Sequence, residues 1–298
     1  MTAGRWTVKE SGVRQAQSLG LLDVAMPFVH HRSPQAELVA SDECLVIQGD
    51  LMLARADATS GVTLPIFGEL AIWLETSARL SPVQVGLLGD RRLWLFAIED
   101  AAVLAPAGWE WHETRALLAA FSPSQMHAVS CARELLWWQT RNRFCGHCGT
   151  PTTDVADERA KRCPRCNAVF YPNLSPAVIV AVTRGDQLLL AHNRNFRPGM
   201  FSLLAGFVDP GETLEQTAVR EVREEVGIEI GDLRYITSQP WPFPNSLMVG
   251  FHATHCSGEV VVDGKEIELA GWFSRDALPD IPRPGTVAHS LITGWLQK

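Results

Sequence analysis

Residues 206–228 read GFVDPGETLEQTAVREVREEVGI, and this stretch decides the fold. Its fixed positions are Gly206, Glu212, Arg220, Glu221, Val222, Glu224, Glu225, Gly227 and Ile228. Pro210-Gly211 closes a strand-like run, and Glu212 and Glu215 sit where a helix N-terminus favours negative charge. Gly227 falls where a helix ends on a left-handed residue. The stretch therefore predicts loop, helix and loop. At ~100° per residue, Glu221, Glu224 and Glu225 share one arc. Leu214, Ala218, Val222 and Val226 occupy the neighbouring arc and are expected to face a core. Carboxylates crowded on one face repel one another unless a cation sits among them. Hard divalent ions such as Mg²⁺ take oxygen ligands, commonly a few carboxylates plus substrate phosphates. A solvated acidic face is the alternative, but it leaves the fixed Gly, Arg and apolar positions unexplained.

Just beyond this helix, residues 238–246 read SQPWPFPNS. Pro240, Pro242 and Pro244 exclude helix and central strand, so a rigid loop is expected. It offers Trp241 and Phe243 as aromatic faces, with Gln239 and Ser246 as polar groups. Such a loop suits a flat heteroaromatic ring at low ordering cost, and a proline-stiffened packing loop is the competing reading.

Upstream, Cys145-Gly-His-Cys148 and Cys163-Pro-Arg-Cys166 are two C-x-x-C pairs separated by fourteen residues. Matched knuckles at this spacing predict a closed, structural tetrathiolate zinc site, one Zn²⁺ per chain, with His147 a bystander. A thioredoxin-like redox motif fits less well, because redox pairs come singly. Residues 141–167 carry Arg141, Arg143, Arg159, Lys161, Arg162 and Arg165 against Asp154, Asp157 and Glu158, a local charge of +3. Either a solvated face or direct contact with RNA phosphates accounts for it.

The whole chain has 298 residues, 46% of them apolar, and a formal charge of −7, which opposes broad nonspecific nucleic-acid binding. Seven unevenly spaced cysteines fit a reducing compartment. No apolar run approaches the ~20 residues that span a bilayer. The N-terminal MTAGRWTVKESG lacks an apolar signal core, so no membrane association and a cytoplasmic location are expected.

Four segments follow: a mostly β domain over 1–110, a helical linker over 111–142, a zinc ribbon over 143–170 and an α/β domain over 171–298. In the first, hairpins are expected at Leu45–Leu53 and Val83–Ile98, with a further element in the 69–75 apolar run. A short helix is expected over His112–Phe121. A second begins at Ser122-Pro123 and runs to about Thr140 with an apolar stripe. In the last segment, strands are expected at 177–182, 188–191, 200–205, 228–237, 247–254 and 269–273, and a final helix at 286–297.

The 206–228 pattern resembles the Nudix hydrolase signature. The SQPWPFPNS passage matches the S-Q-P-W-P-F-P-x-S array of the NADH pyrophosphatase branch, whose members also carry a four-cysteine ribbon. The resemblance covers residues from about 110 to the end of the chain. It implies an α/β/α Nudix sandwich and a homodimer whose active sites draw on both subunits. It implies metal-dependent hydrolysis of NAD(H) to nicotinamide mononucleotide and AMP, extending to the NAD-capped 5′ end of RNA. Zinc ligands are implied at Cys145, Cys148, Cys163 and Cys166. Mg²⁺ or Mn²⁺ ligands are implied at Glu221, Glu225 and the Ala205 carbonyl, with Glu224 and Glu266 completing the acidic cluster and Arg220 beside them. Substrate contacts are implied at Arg115, Glu158, Tyr171, Phe207, Gln239, Pro240, Trp241, Pro242, Phe243, Pro244, Asn245, Ser246 and Ala288. A broader dinucleotide pyrophosphatase acting on ADP-ribose or diadenosine polyphosphates is the nearest alternative. A catalytically silent ribbon module that binds RNA is the more distant one.

Overall fold

The computed structural model describes residues 28–30, 36–57, 61–78 and 81–297. The chain forms two compact units, one holding residues up to Leu174 together with Pro242–Asn245, the other holding Ser175–Trp241 and the residues from Ser246 on.

The first unit contains β1 (Phe28–Val29), β2 (Glu43–Gln48), β3 (Leu51–Asp57), β4 (Gly61–Thr63), α1 (Phe67–Ser77), β5 (Val83–Leu88), β6 (Arg91–Ala97) and β7 (Glu110–Glu113). A single turn of 3-10 helix (Thr114–Leu117) and α2 (Pro123–Arg141) follow. The sheet order is β1-β5-β6-β2-β3-β4, with β7 added on β3. Both expected hairpins form: Ile47 pairs with Met52, and Leu88 with Arg91. Strand alternation sends Leu45 and Ile47 to the face covered by α2 through Ala128, Val129, Ala132 and Leu135. Cys44 and Val46 point to the opposite face, against Leu70 and Leu74 of α1. Thus the 69–75 run is a helix, and the stripe on α2 is core.

The helix expected over His112–Phe121 is not observed. Glu110–Glu113 instead pairs antiparallel with β3, Leu51 opposite Glu113 and Ala54 opposite Glu110. A strand edge satisfies those backbone groups better than a short helix, and helical geometry survives only at Thr114–Leu117. Ser122 then starts α2 with a reciprocal capping box to Gln125.

The ribbon is a small three-stranded sheet of β8 (Thr153–Asp154), β9 (Lys161–Arg162) and β10 (Val169–Phe170). Of its expected surface cations, Arg159 turns inward. Its Nη1 donates to Cys131 Sγ on α2 at 3.3 Å, and its Nη2 donates to the Val85 carbonyl. Lys161 pairs with Asp154 at 3.0 Å.

The second unit contains β11 (Ser175–Arg184), β12 (Gln187–Asn193), β13 (Leu204–Phe207), α3 (Leu214–Val226), β14 (Glu229–Trp241), β15 (Ser246–Ser257), β16 (Ile267–Ser274) and α4 (Val287–Leu296). Its sheet runs β14-β15-β11-β12-β16, with β13 paired to β11. Val178, Val180 and Val182 of β11 pack against Ala218, Val222 and Val226 of α3. Ile179 and Ala181, on the other face, meet Leu291 and Ile292 of α4. This is the expected α/β/α sandwich.

Two boundaries differ from expectation. The strand expected over 200–205 begins only at Leu204, and Met200 and Ser202 make isolated bridges. The expected rigid loop over 238–246 contracts to 242–245, because β14 continues through Trp241 with Pro240 opposite Leu247. Pro240 is tolerated since β14 is an edge strand and pairs on one side only.

Candidate active site and cysteine cluster

Thr213 caps α3 through a reciprocal bond with Gln216, and Gly227 ends it at φ 72°. Between these stops the helix presents Arg220, whose guanidinium ties the signature together. Its Nε and Nη2 donate to the two oxygens of Glu212 at 2.7 and 2.8 Å. Its Nη1 donates to Glu221 Oε1 at 2.8 Å and Glu224 Oε2 at 3.1 Å, and Nη2 also reaches the Phe207 carbonyl at 2.9 Å. One planar fork thereby joins the end of β13, the loop and the helix. The Arg220 hydrogen bond is the main reason the Glu212 carboxyl is held down at about 2.

Glu225 lies deeper, 6% exposed, and its Oε2 has no hydrogen-bond partner. Burial first, then the charges of Glu221, Glu266 and Asp263, push its carboxyl up to about 8. Burial also raises Glu221, against the pull of Arg220. Glu266 is brought near by its loop. The Asp263 amide donates to the Glu225 carbonyl at 3.0 Å, and Asp263 carboxylate oxygens accept from the Glu266 and Ile267 amides. Asp263 was missed in the sequence, although an Asp opening the turn before Gly264-Lys-Glu266 was the available signal.

The Ala205 backbone amide is the one influence that pulls the Glu225 carboxyl down against those that raise it. The carboxylate donor set is all oxygen, contains an orphaned buried carboxylate oxygen and concentrates negative charge. It fits a hard divalent cation such as Mg²⁺ or Mn²⁺.

Gly206 completes the cradle. A Cβ there would lie 1.9 Å from Glu221 Cδ and 2.1 and 2.3 Å from its oxygens. Gly206→Ala must therefore evict the Glu221 carboxylate from its seat. We expect kcat to fall about 10- to 100-fold with the circular dichroism spectrum preserved. Unchanged turnover in a folded variant would show that this seat is not needed.

The residues expected to touch substrate divide into groups. Phe207 and Tyr171 are exposed, and the Tyr171 hydroxyl donates to Glu158 Oε2 at 2.9 Å. Trp241 and Pro240 are half-buried at the end of β14, Pro242 is buried and Pro244 exposed. Arg115 Cζ lies 4.6 Å from the Phe243 ring centre. Four others are buried: Gln239, Asn245, Ser246 and Ala288 are all at most 6% exposed. Gln239 donates to the Gly285 carbonyl at 2.9 Å and accepts from the Val287 amide at 2.7 Å, fixing the start of α4. Asn245 donates to the Asn173 carbonyl at 3.1 Å.

In the ribbon, the sulfurs of Cys145, Cys148, Cys163 and Cys166 all lie within 4.8 Å of one another. The Cys166 amide donates to Cys163 Sγ at 3.4 Å and is the largest influence lowering that thiol. Four converging thiols with amide support fit a tetrahedral zinc site.

These features define a hydrolase of the Nudix class. The NUDIX domain family matches residues 173–293, and the NADH pyrophosphatase zinc ribbon domain matches residues 140–171. The chain is 44% identical over 219 residues to a protein of Stutzerimonas stutzeri named NAD-capped RNA hydrolase NudC, covering 74% of this chain and 79% of the relative. A protein of the same name from Chromobacterium violaceum is 43% identical, covering 76% of this chain and 89% of that one. A third, from Pseudomonas syringae pv. tomato, is 39% identical over 85% of this chain and 91% of its own. The chain belongs to the Nudix hydrolase family, in the branch that carries the NADH pyrophosphatase zinc ribbon. No helix among the described residues is long and apolar enough to cross a membrane.

Proposed function

We propose that the chain hydrolyses the pyrophosphate of NAD(H) to nicotinamide mononucleotide and AMP, and removes NAD caps from RNA 5′ ends. It does so as a cytoplasmic homodimer with one structural Zn²⁺ per chain. The observation that carries the catalytic part is the buried, partnerless oxygen of Glu225 on the signature helix, under the charges of Glu221, Glu266 and Asp263. The dinucleotide follows from the SQPWPFPNS passage and from relatives named as hydrolases of NAD-capped RNA.

Bound Mg²⁺ or Mn²⁺ would neutralise the pyrophosphate and make a water more acidic. Glu221, Glu225 and the Ala205 carbonyl would hold such ions, with Glu266 beside them. Arg220 keeps Glu221 and Glu224 at fixed positions while neutralising part of their charge. A carboxylate oxygen of Glu224 or Glu225 accepts the proton of the attacking water, oxygen attacks one phosphorus in line, and the bridging P–O bond breaks. The two groups share one charged cluster, so the base role belongs to the pair. Three adjacent carboxylates have no use in a silent RNA-binding module.

Trp241→Ala tests the substrate. If the passage recognises the dinucleotide, kcat/KM for NADH should fall about 5- to 150-fold from the lost stacking. ADP-ribose has the same pyrophosphate and adenosine but lacks nicotinamide, so its fall should be smaller. An equal fall for both substrates would make the passage structural and favour a broader dinucleotide pyrophosphatase.

A further inference from the structure

We infer that Arg133, on α2, is a positioning residue that sets the pose of Pro242 and Phe243 and so tunes ring recognition by the SQPWPFPNS passage. This rests on the reading of that passage as the part that recognises the dinucleotide. Pro242 and Pro244 have no N–H to donate, and Asn245 anchors only the far end of residues 242–245, on the Asn173 carbonyl. At the near end Arg133 supplies a donor. Its Nε donates to the Pro242 carbonyl at 3.2 Å, and its Cζ lies 4.9 Å from the Phe243 ring centre.

The rest of the fork is anchored on the β2–β3 turn and the residue after β7. Nη1 donates to the Gly49 carbonyl at 3.3 Å and to Thr114 Oγ1 at 3.2 Å, and Nη2 donates to Asp50 Oδ1 at 2.8 Å. The Arg133 side chain is only 10% exposed, whereas its Asp50 partner is 89% exposed. Burying an arginine this far costs desolvation that an apolar side chain packed on Phe243 would avoid. What the guanidinium adds is direction: one plane serves several acceptors and an aromatic face together, which a lysine ammonium cannot do.

Phe243 also has somewhere else to go. It borders a cavity of about 560 Å³ lined by Arg115, Arg133, Trp137, Ile47 and Ile98 among others. Loosening the hold on Pro242 lets the ring shift toward that space. Arg133 thus acts on recognition through the loop.

The test is a double-mutant cycle on NADH hydrolysis with Arg133→Lys and Phe243→Leu, with each variant checked for folding by circular dichroism. Arg133→Lys should raise KM about 5- to 30-fold while kcat changes by less than about threefold. Because Arg133 acts through Phe243, the double variant should be no worse than the poorer single variant. If Arg133→Lys does not fold, Asp50→Asn replaces it in the cycle, since it loosens the same guanidinium from an exposed position. Its expected rise in KM is about 2- to 5-fold, again non-additive with Phe243→Leu. Additive effects, or an unchanged KM on loosening Arg133, would overturn the positioning role alone. An unchanged KM for Phe243→Leu would remove the ring-recognition reading, and the positioning role with it.

Discussion

Glu225→Gln is expected to lower kcat about 10²- to 10⁴-fold in a protein that remains folded. The substitution keeps the size of the side chain and one acceptor oxygen. It removes the charge at the centre of the acidic cluster. That charge is costly without a cation, because burial and the carboxylates of Glu221, Glu266 and Asp263 raise its pKa to about 8. The sign of the stability effect follows. A carboxyl whose folded pKa is raised above the unfolded value loses native stability as pH rises from about 4.5 toward 8. Metal-free Glu225→Gln should therefore gain stability relative to metal-free wild type over that range. Added Mg²⁺ should raise the melting temperature of wild type more than that of the variant. Activity lost together with metal-free stability gained is a combination that a damaged core does not produce. Near-normal turnover in the folded variant would remove Glu225 from the reaction.

The signature helix was legible because its determinants are local. The Thr213–Gln216 cap, the alternation of apolar and acidic arcs and the left-handed Gly227 all operate within one or two turns. The hairpins at 45–53 and 83–98 were legible for the same reason, each closing over a short Gly-Asp turn. Where the decisive partner is distant, sequence reading erred. Glu110–Glu113 became a strand because β3 offered it an edge some sixty residues away in sequence. Ser238–Trp241 became a strand because β15 pairs with it, and an edge forgives Pro240.

The site divides in the same way. Glu221, Glu224 and Glu225 could be named from their spacing on one helix, but the reason for Gly206 could not. Its missing Cβ is the seat of a carboxylate fifteen positions later, a contact made only when β13 lies against α3. Likewise Asp263 and Arg133 carry no motif; the groups they meet come together only in the fold. Gln239 illustrates the converse. The motif marks it, yet its amide is committed to Gly285 and Val287, so part of what the passage encodes is the placement of α4.

Cys163→Ser should abolish stoichiometric zinc and unfold the ribbon. Zinc binding contributes about 10–16 kcal/mol of apparent free energy in small thiolate-containing fingers, far more than a unit of this size gains from its own core. The ribbon sheet has strands of only two residues each, and its buried residues include Cys145 and Cys163 themselves. A serine hydroxyl at position 163 is a poor zinc ligand, leaving three thiols unable to close the tetrahedron. The damage should spread to α2, because Arg159 hangs from the β8–β9 connection and reaches Cys131 and the Val85 carbonyl. Metal analysis should find zinc falling from one per chain toward zero, and limited proteolysis should cut within residues 145–166. A metal content that stayed at one zinc per chain would refute the four-cysteine site. Arg159→Ala separates the two roles: it should keep its zinc while lowering the melting temperature, since it removes the anchor and leaves the thiolate cluster whole.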